Sequence, residues 1–387
     1  MKKWQTTTLG DICDIINGRN QKEVLDTNGA YPVYGSAGNL MGLANKYICE
    51  AGTVIIGRKG NISTPHFITE KFWNVDTAFG IYPKNEVMLP RFNYYQCLNI
   101  DFASRNKGTT IPSLVKSDLI TIVVSYPTDL KEQQQIVEKL DTAFDLIDRA
   151  KANIEKNIHN AKELFQSKLN QVFSEKGEGW EEKKLADFYL IKHGYAFDGK
   201  LFEISENKDL PIVLTPGNYH ENGGLYFTKK NTKRTHAKYP LDFLFDAGDL
   251  TVVMTDLSSK MKILGLPAII ESCNILHNQR IGKFISKGND EHFDKKFLYY
   301  FLKSKKYLNN IKLTATGTMV KHTAPGRILD NKINFPSSLD QQKEIVSQLD
   351  QLSAQTELLQ QKYQQKLANL EELKKSILEK AFKGQLN

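Results

Sequence analysis

The run Leu130-Lys131-Glu132-Gln133-Gln134-Gln135-Ile136-Val137-Glu138-Lys139-Leu140-Asp141 returns later in the chain. Its second form is Leu339-Asp340-Gln341-Gln342-Lys343-Glu344-Ile345-Val346-Ser347-Gln348-Leu349-Asp350. Each copy opens a long glycine-free run of helix formers, Leu130–Ser174 and Leu339 to about Gly384. The offset holds without a gap further on, pairing Leu164 with Leu373, Leu169 with Leu378 and Phe173 with Phe382. It also holds backwards, from Pro127 and Pro336 to Gly108-Thr109 and Gly317-Thr318. A shared spacing of this length marks a tandem duplication.

The duplicated unit extends beyond the helix. Trp4, Leu9 and Asp11 form a W-x4-L-x-D pattern that returns as Trp180, Leu185 and Asp187. Each unit is therefore a globular segment followed by a helix. In the first, Tyr31–Tyr34, Gly52–Gly57, Ile62–Phe67, Val75–Tyr82 and Leu119–Val124 read as strands. In the second, Leu210–Leu214, Asp249–Met254, Ala268–Ile270 and Ile281–Ile285 do so, and Asp294–Leu308 reads as one helix carrying Phe297, Tyr300, Phe301 and Tyr307 on one side. Ala51-Gly52 before one core strand recurs as Ala247-Gly248 before another. Both globular segments are expected to be α/β (α+β) domains of one fold with diverged loops.

The helical runs carry apolar residues at alternating three- and four-residue spacings, the coiled-coil signature. The first seam is Val137, Leu140, Phe144, Ile147, Lys151, Ile154, Ile158, Ala161, Phe165, Lys168 and Val172. The second is Ile345, Leu349, Leu352, Thr356, Leu359, Tyr363, Lys366, Leu370, Leu373, Ile377 and Lys380. A helix of some 45 residues spans roughly 65–70 Å, longer than an ordinary domain, so each needs a partner of equal length. The other copy is the natural one, and connectivity makes the pair antiparallel. The expected architecture is a dumbbell with a pseudo-two-fold axis and Asn387 near the first domain. Its parts are residues 1–129, the spacer helix 130–176, residues 177–338 and the spacer helix 339–387.

Charge separates the parts by role. The net charge is +8, with 40% hydrophobic and 25% charged residues, as in an ordinary globular chain. Leu130–Ser174 holds seven basic and seven acidic residues, and Leu339–Asn387 holds the same. The excess lies in the globular segments, 13 basic against 11 acidic in Met1–Asp129 and 25 against 19 in Glu175–Ser338. Neutral helices suit protein contact and basic domains suit a polyanion. The chain has no run of 18 apolar residues, and Met1-Lys2-Lys3-Trp4 leads into polar residues, so a cytoplasmic protein without a membrane contact is expected. Four scattered cysteines without a CxxC pair read as reduced thiols rather than a zinc site.

A two-headed chain with diverged basic modules suits a DNA reader with two different half-sites. Candidate contacts lie in loops beside the strands. Arg58, Lys59, Asn61 and Ser63 follow the first core strand, and Thr255, Ser258 and Lys260 follow its counterpart. Arg105 and Lys107 add charge, and Lys229, Lys230, Lys233 and Arg234 form the densest basic stretch. Arginine and lysine donate to guanine edges or phosphates, and asparagine pairs with adenine. Any one of these is commonly a solvated loop; their concentration on the charged halves favours DNA.

Catalytic patterns are missing. Gly57–Ser63 lacks the GxxxxGK[ST] spacing of a phosphate loop, and there is neither GxGxxG nor the N/D-P-P-Y/F tetrad of an amino-methyltransferase. Glu181-Glu182-Lys183 matches the E-x-K fragment of nucleases without a partnering acidic motif. His277 reads as a core or surface residue rather than a ligand, and no cofactor is implied.

The combination W-x4-L-x-D, variable domain, G-T-x…P and E/Q-Q-x-x-I-V-x-x-L-D helix, present twice, resembles the specificity subunit of type I restriction–modification systems. Leu373–Leu386 is equally typical, and the resemblance covers essentially the whole chain. It implies two target recognition domains reading an asymmetric bipartite site on double-stranded DNA. The helices would then hold the domains apart and dock two methyltransferase subunits carrying S-adenosylmethionine, with restriction/translocase subunits joining. One departure is Ile111-Pro112-Ser113, replaced by Val320-Lys321-His322. Two alternatives stand beside this reading: a coiled-coil interaction scaffold that does not read DNA, and the same role in a related restriction class.

Overall fold

The computed structural model describes residues 4–84, 87–175, 177–205, 207–288 and 293–386. Asn387, expected near the first domain, lies outside the described residues. By internal contact the chain forms two compact units, Met1–Lys156 with Tyr363–Asn387, and Asn157–Lys362. Each unit therefore contains one globular domain, the start of one long helix and the end of the other. The long helices are Leu130–Ser174 and Leu339–Phe382.

In the first unit, strand Trp4–Thr8 pairs antiparallel with Val123–Pro127, the strand that leads into the first long helix. A four-stranded sheet follows the order Cys13–Asn17, Ala78–Pro83, Val54–Gly57 and His66–Phe67. A three-stranded sheet places Tyr31–Tyr34 between Leu40–Ala44 and Trp73–Asn74. The second unit repeats the entry pair as Trp180–Lys184 with Lys332–Pro336. Its main sheet runs Tyr189–His193, Ile281–Ser286, Leu250–Val253 and Pro267–Ile269. Its other four-stranded sheet contains Phe202–Glu203, Arg234–Thr235, Ile212–Leu214 and Ile275–His277. The duplicated α/β plan is thus present, and the second sheet is where the copies differ most.

The repeated W-x4-L-x-D pattern has a local cause. Trp4 and Trp180 begin the entry strands, and Leu9 and Leu185 are fully buried. The Leu9 amide donates to the Ile122 carbonyl at 2.7 Å, and the Leu185 amide to that of Asn331 at 3.0 Å. Asp11 accepts from the Thr8 amide at 3.1 Å, and Asp187 from the Lys184 amide at 3.0 Å. Each aspartate fixes the turn by which the entry strand bends into its domain.

The duplicated helix openings are clamps. Gln133 is fully buried; its Oε1 accepts from the Leu89 amide at 2.8 Å, and its Nε2 donates to the Val87 and Pro127 carbonyls, both at 2.9 Å. Gln342, also fully buried, accepts from the Asp294 amide at 2.9 Å and donates to the Pro336 carbonyl at 3.0 Å. Eight residues on, Asp141 receives Tyr95 Oη and, at 2.7 Å, Arg91 Nη2. Asp350 receives Tyr300 Oη at 2.6 Å and Lys296 Nζ at 2.7 Å. Between these polar points Val137 and Leu140, or Val346 and Leu349, enter the domain core. The end of the opposite helix completes each core: Leu378, Ala381 and Phe382 beside Phe92 in the first unit, Leu169 and Phe173 beside Phe297 and Phe301 in the second.

Within the first unit the helices are antiparallel. Asp148 meets Lys374 at 3.0 Å, and Lys151, one turn later, pairs with Glu371, one turn earlier. The second unit likewise joins the end of one helix to the beginning of the other. The heptad reading needs adjustment. Lys168, Leu359, Lys366, Leu373 and Lys380 are exposed although they lie on the seam, whereas Leu169, Phe173, Leu378, Ala381 and Phe382, at the helix ends, are buried off it. There each helix packs on a domain as well as on its partner, which demands a broader apolar face than a two-helix seam.

Three local expectations are corrected. Leu119 and Ile120 belong to a short helix, Lys116–Ile120, and the exit strand starts at Val123, because Val123–Pro127 must match the register of Trp4–Thr8. The strand expected over Ile62–Phe67 is confined to His66–Phe67. Asp294–Leu308 is two helices, Lys295–Phe301 and Lys305–Leu313, since Ser304 Oγ accepts from the Tyr307 amide and starts a new N-terminus. Helix Pro90–Asn99, which supplies Arg91, Phe92 and Tyr95, was not expected.

His277 belongs to the core. It is 1% exposed, its Nε2 donates to the Ile281 carbonyl at 2.8 Å, and burial lowers its pKa from 6.5 to about 4. A depressed pKa means the unfolded chain binds the proton first as pH falls. This stabilisation is full above pH 6.5 and is lost as pH falls toward 4. About 2 kcal/mol should be lost by pH 5, and His277→Gln should remove that part of the slope in denaturant titrations between pH 7 and 5.

Candidate nucleic-acid interface

The loop after strand Val54–Gly57 is closed on itself: a Cβ at Gly57 would lie 1.9 Å from the Asn61 carbonyl oxygen. The close approach that Gly57 permits is thus internal. Arg58, Lys59, Asn61 and Ser63 are exposed on this loop. Backbone bonds dock a second loop on it. Gly60 donates to the Pro112 carbonyl at 2.9 Å, Leu114 to the Arg58 carbonyl at 2.9 Å, and Lys59 bridges Ser113. Asn106 Oδ1 organises the second loop by accepting from the Gly108 amide at 2.9 Å and the Ser113 amide at 2.8 Å. Arg105 and Lys107 are exposed where that loop begins, and Lys107 pairs with Asp118 at 3.0 Å. Four expected cationic contacts are therefore gathered on one loop pair.

The second unit builds the same pair from other residues. Strand Thr255–Asp256 pairs with Lys321–His322, and Thr323 donates to the Met254 carbonyl at 2.9 Å, as Leu114 does to Arg58. Asp256, 4% exposed, receives the Ser258 amide at 2.8 Å and the Ile263 amide at 3.0 Å, which shapes the loop carrying exposed Lys260. Ser258 is half-buried and accepts from the Lys260 amide at 3.1 Å. Thr255 departs from expectation: it is 6% exposed and its hydroxyl meets His322 Nδ1 at 3.0 Å, so it supports the loop rather than facing outward. Lys321, His322 and Arg327, which donates to Thr316 Oγ1 at 3.3 Å, join this surface; in the sequence Lys321 and His322 stood out only as a departure from the repeat, not as contacts. The recurring Gly108-Thr109 and Gly317-Thr318 were the available signal.

Lys229 and Lys230 lie in the turn before, Lys233 just ahead of, and Arg234 at the start of the Arg234–Thr235 strand, which belongs to the other sheet of the second unit. The Lys233 carbonyl accepts from the Val213 amide at 2.8 Å, Arg234 Nη1 donates to the Leu210 carbonyl, and Asn231 fixes the preceding turn through Thr228. Lys229 and Arg234 border a cavity of about 600 Å³ with Lys208. This basic surface is built on a different sheet from the loop pair.

Glu181 pairs with Lys183 at 3.0 Å and accepts from Ser337 Oγ at 2.8 Å, so the E-x-K fragment is part of the entry strand's surface. Among the described residues no group of three or more His, Cys, Asp or Glu is placed to hold a metal ion. No helix among them is long and apolar enough to cross a membrane.

A family model described as the type I restriction modification DNA specificity domain matches twice, over residues 1–160 and 177–367. The chain is 25% identical to the type I restriction enzyme MjaVIII specificity subunit of Methanocaldococcus jannaschii, covering 99% of this chain and 93% of that one. It is likewise 25% identical to the EcoDI specificity subunit of Escherichia coli, over 99% and 88%. Among solved structures, a chain from a study of assembly and conformational transition of the type I system superposes with a TM-score of 0.77 at 17% identity, covering 99% and 98%. The HsdS subunit from Thermoanaerobacter tengcongensis does so with a TM-score of 0.56 at 17% identity, over 99% and 97%.

Proposed function

This chain belongs to the type I restriction–modification DNA specificity family, and from that membership we propose that its two loop pairs each read one half of an asymmetric bipartite site on double-stranded DNA. The observation that carries the proposal is the duplicated frame with diverged side chains. Lys59 bridges Ser113 in one unit and Thr255 pairs with His322 in the other, while the residues facing outward differ. A common frame keeps the two approaches to DNA alike; different side chains make the half-sites unlike. The contact set is Arg58, Lys59, Asn61, Ser63, Arg105 and Lys107 in the first unit. In the second it is Ser258, Lys260, Lys321 and His322, with Lys229, Lys230, Lys233 and Arg234 on neighbouring phosphates. The chain itself supplies recognition rather than catalysis.

The long helices supply the partner surface. Leu164 and Leu373 hold equivalent positions in the two copies and are 61% and 47% exposed. Leucines kept in the open at matched positions suit two copies of one methyltransferase subunit, which would bring S-adenosylmethionine and methylate adenine; restriction/translocase subunits complete the assembly. Leu164→Glu with Leu373→Glu is expected to abolish co-purification of the methyltransferase subunit while leaving the chain's own melting temperature within about 2 °C, since exposed substitutions have small effects on stability. Retained co-purification would move the docking surface elsewhere.

Helix length sets the separation of the half-sites in this reading. Deleting matched whole turns near Ile154 and Tyr363 should change the number of base pairs between the half-sites and leave the bases of each half unchanged. The methylation motif before and after deletion is the readout. Altered half-site bases would contradict the assignment of reading to the domains.

A further inference from the structure

Both loop pairs end in an exposed apolar side chain. Ile111, at the tip of the Gly108–Ser113 turn, is 58% exposed. In the matching turn, Gly317–His322, Met319 is 78% and Val320 36% exposed. The turns are the same device: a Cβ at Gly108 would lie 1.9 Å from the Ile111 carbonyl oxygen, and one at Gly317 would lie 2.0 Å from that of Val320. Glycine lets the backbone fold tightly at each turn while the apolar side chain stays exposed. Neither tip is loose. Pro112, next to Ile111, accepts from the Gly60 amide, and Thr316 and His322 exchange backbone bonds at 2.9 and 3.0 Å across the other turn.

Single exposed apolar residues are ordinary on protein surfaces. Ile111 and Val320 occupy corresponding positions in the two diverged copies, with Met319 next to Val320, on turns pinned by their own backbones, beside Arg58 and Lys59 in one unit and Lys321 in the other. An apolar partner protein would have to desolvate those cations. A DNA groove instead offers phosphates to the cations and an apolar base feature to the tip. In the major groove that feature is the thymine methyl group, the only apolar mark in the donor and acceptor code.

We propose that Ile111 in the first unit, and Met319 with Val320 in the second, are specificity-determining residues that read thymine methyl groups in their half-sites. This rests on the loop pairs facing DNA. The two tips differ in length and branching, so they also contribute to the asymmetry of the site. A half-site containing a methylatable adenine necessarily contains a thymine on the opposite strand, so the feature to be read is present.

The test uses the full chain with its methyltransferase partners and duplexes carrying its own site, each with one thymine replaced by deoxyuridine, which removes only the methyl group. One substitution in the half-site read by the first unit should weaken binding about four- to tenfold, the order expected for one buried methyl with its packing. Ile111→Ser should weaken binding to the parent duplex by a similar factor and no longer distinguish that deoxyuridine duplex, with an unchanged melting temperature. Met319→Ser with Val320→Ser should do the same for the other half-site. Equal binding to every deoxyuridine duplex, or discrimination that survives these substitutions, would overturn the proposal. Arg58→Ala with Lys59→Ala separates the two levels: if it weakens binding to all duplexes while the tip variants change nothing, the loop pair faces DNA but the tips do not read it. If neither set changes binding, the loop pair does not face DNA.

Discussion

Gln133→Leu is expected to destabilise the first unit by about 3–5 kcal/mol, a large effect for a single substitution in a long helix. The side chain is fully buried and joins three backbone groups from two directions, the Leu89 amide and the Val87 and Pro127 carbonyls. Leucine fills nearly the same volume, so packing is largely kept. The cost comes from three polar groups left without partners, each worth about 1–3 kcal/mol when stranded away from water. The Leu89 amide matters most, because Leu89 is the N-cap of helix Pro90–Asn99 and no side-chain cap relieves that terminus. That helix carries Arg91 and Tyr95, which hold Asp141, so the loss spreads along the clamp. Calorimetry should show a fall of about 10 °C for the first unit. Gln134→Leu, one position away and exposed, should change it by less than about 2 °C. Similar melting of the two variants would show that the duplicated glutamine is not the clamp.

Arg58→Ala, Lys59→Ala and Arg105→Ala combined should lower affinity for DNA of any sequence by about a hundredfold at roughly physiological salt. These side chains are exposed on the paired loops, so their removal leaves the Gly60–Pro112 and Arg58–Leu114 backbone bonds in place. Each phosphate contact contributes about 0.9 to the slope of log affinity against log salt. Losing two or three contacts should flatten that slope by about 2–3. The slope is the informative part. A misfolded variant would lose affinity without this flattening, and a scaffold that does not read DNA would have no steep slope to lose.

Much of this was legible in the sequence because duplication makes a chain its own alignment. The helix starts, the entry strands and the turn glycines all recur at matched positions, and the structure gives each a job. What the sequence obscured was which role the repeated residues play. Gln133 and Asp141 stood in the sequence only as members of the repeated motif, outside the apolar seam, yet they bind the domain through partners in or beside helix Pro90–Asn99, whose opening Pro-Arg-Phe-Asn gives little helical periodicity. Lys168 read as a seam position and Phe173 did not, since the seam was drawn for two helices and the ends pack on three elements. Thr255 followed the right strand but points inward, which alternation along a two-residue strand cannot reveal. The loop pair itself was half visible. The charges of Arg58, Arg105 and Lys107 are easily found, but their meeting depends on backbone bonds between segments some fifty residues apart, Gly60 with Pro112 and Arg58 with Leu114.

We propose that this chain directs modification to one asymmetric, two-part DNA sequence, which a genome-wide map of methylated adenines in cells with and without the gene tests. A single bipartite motif, with unlike halves and a fixed gap, should lose its methylation when the gene is removed and regain it on complementation. An unchanged methylation map would contradict it.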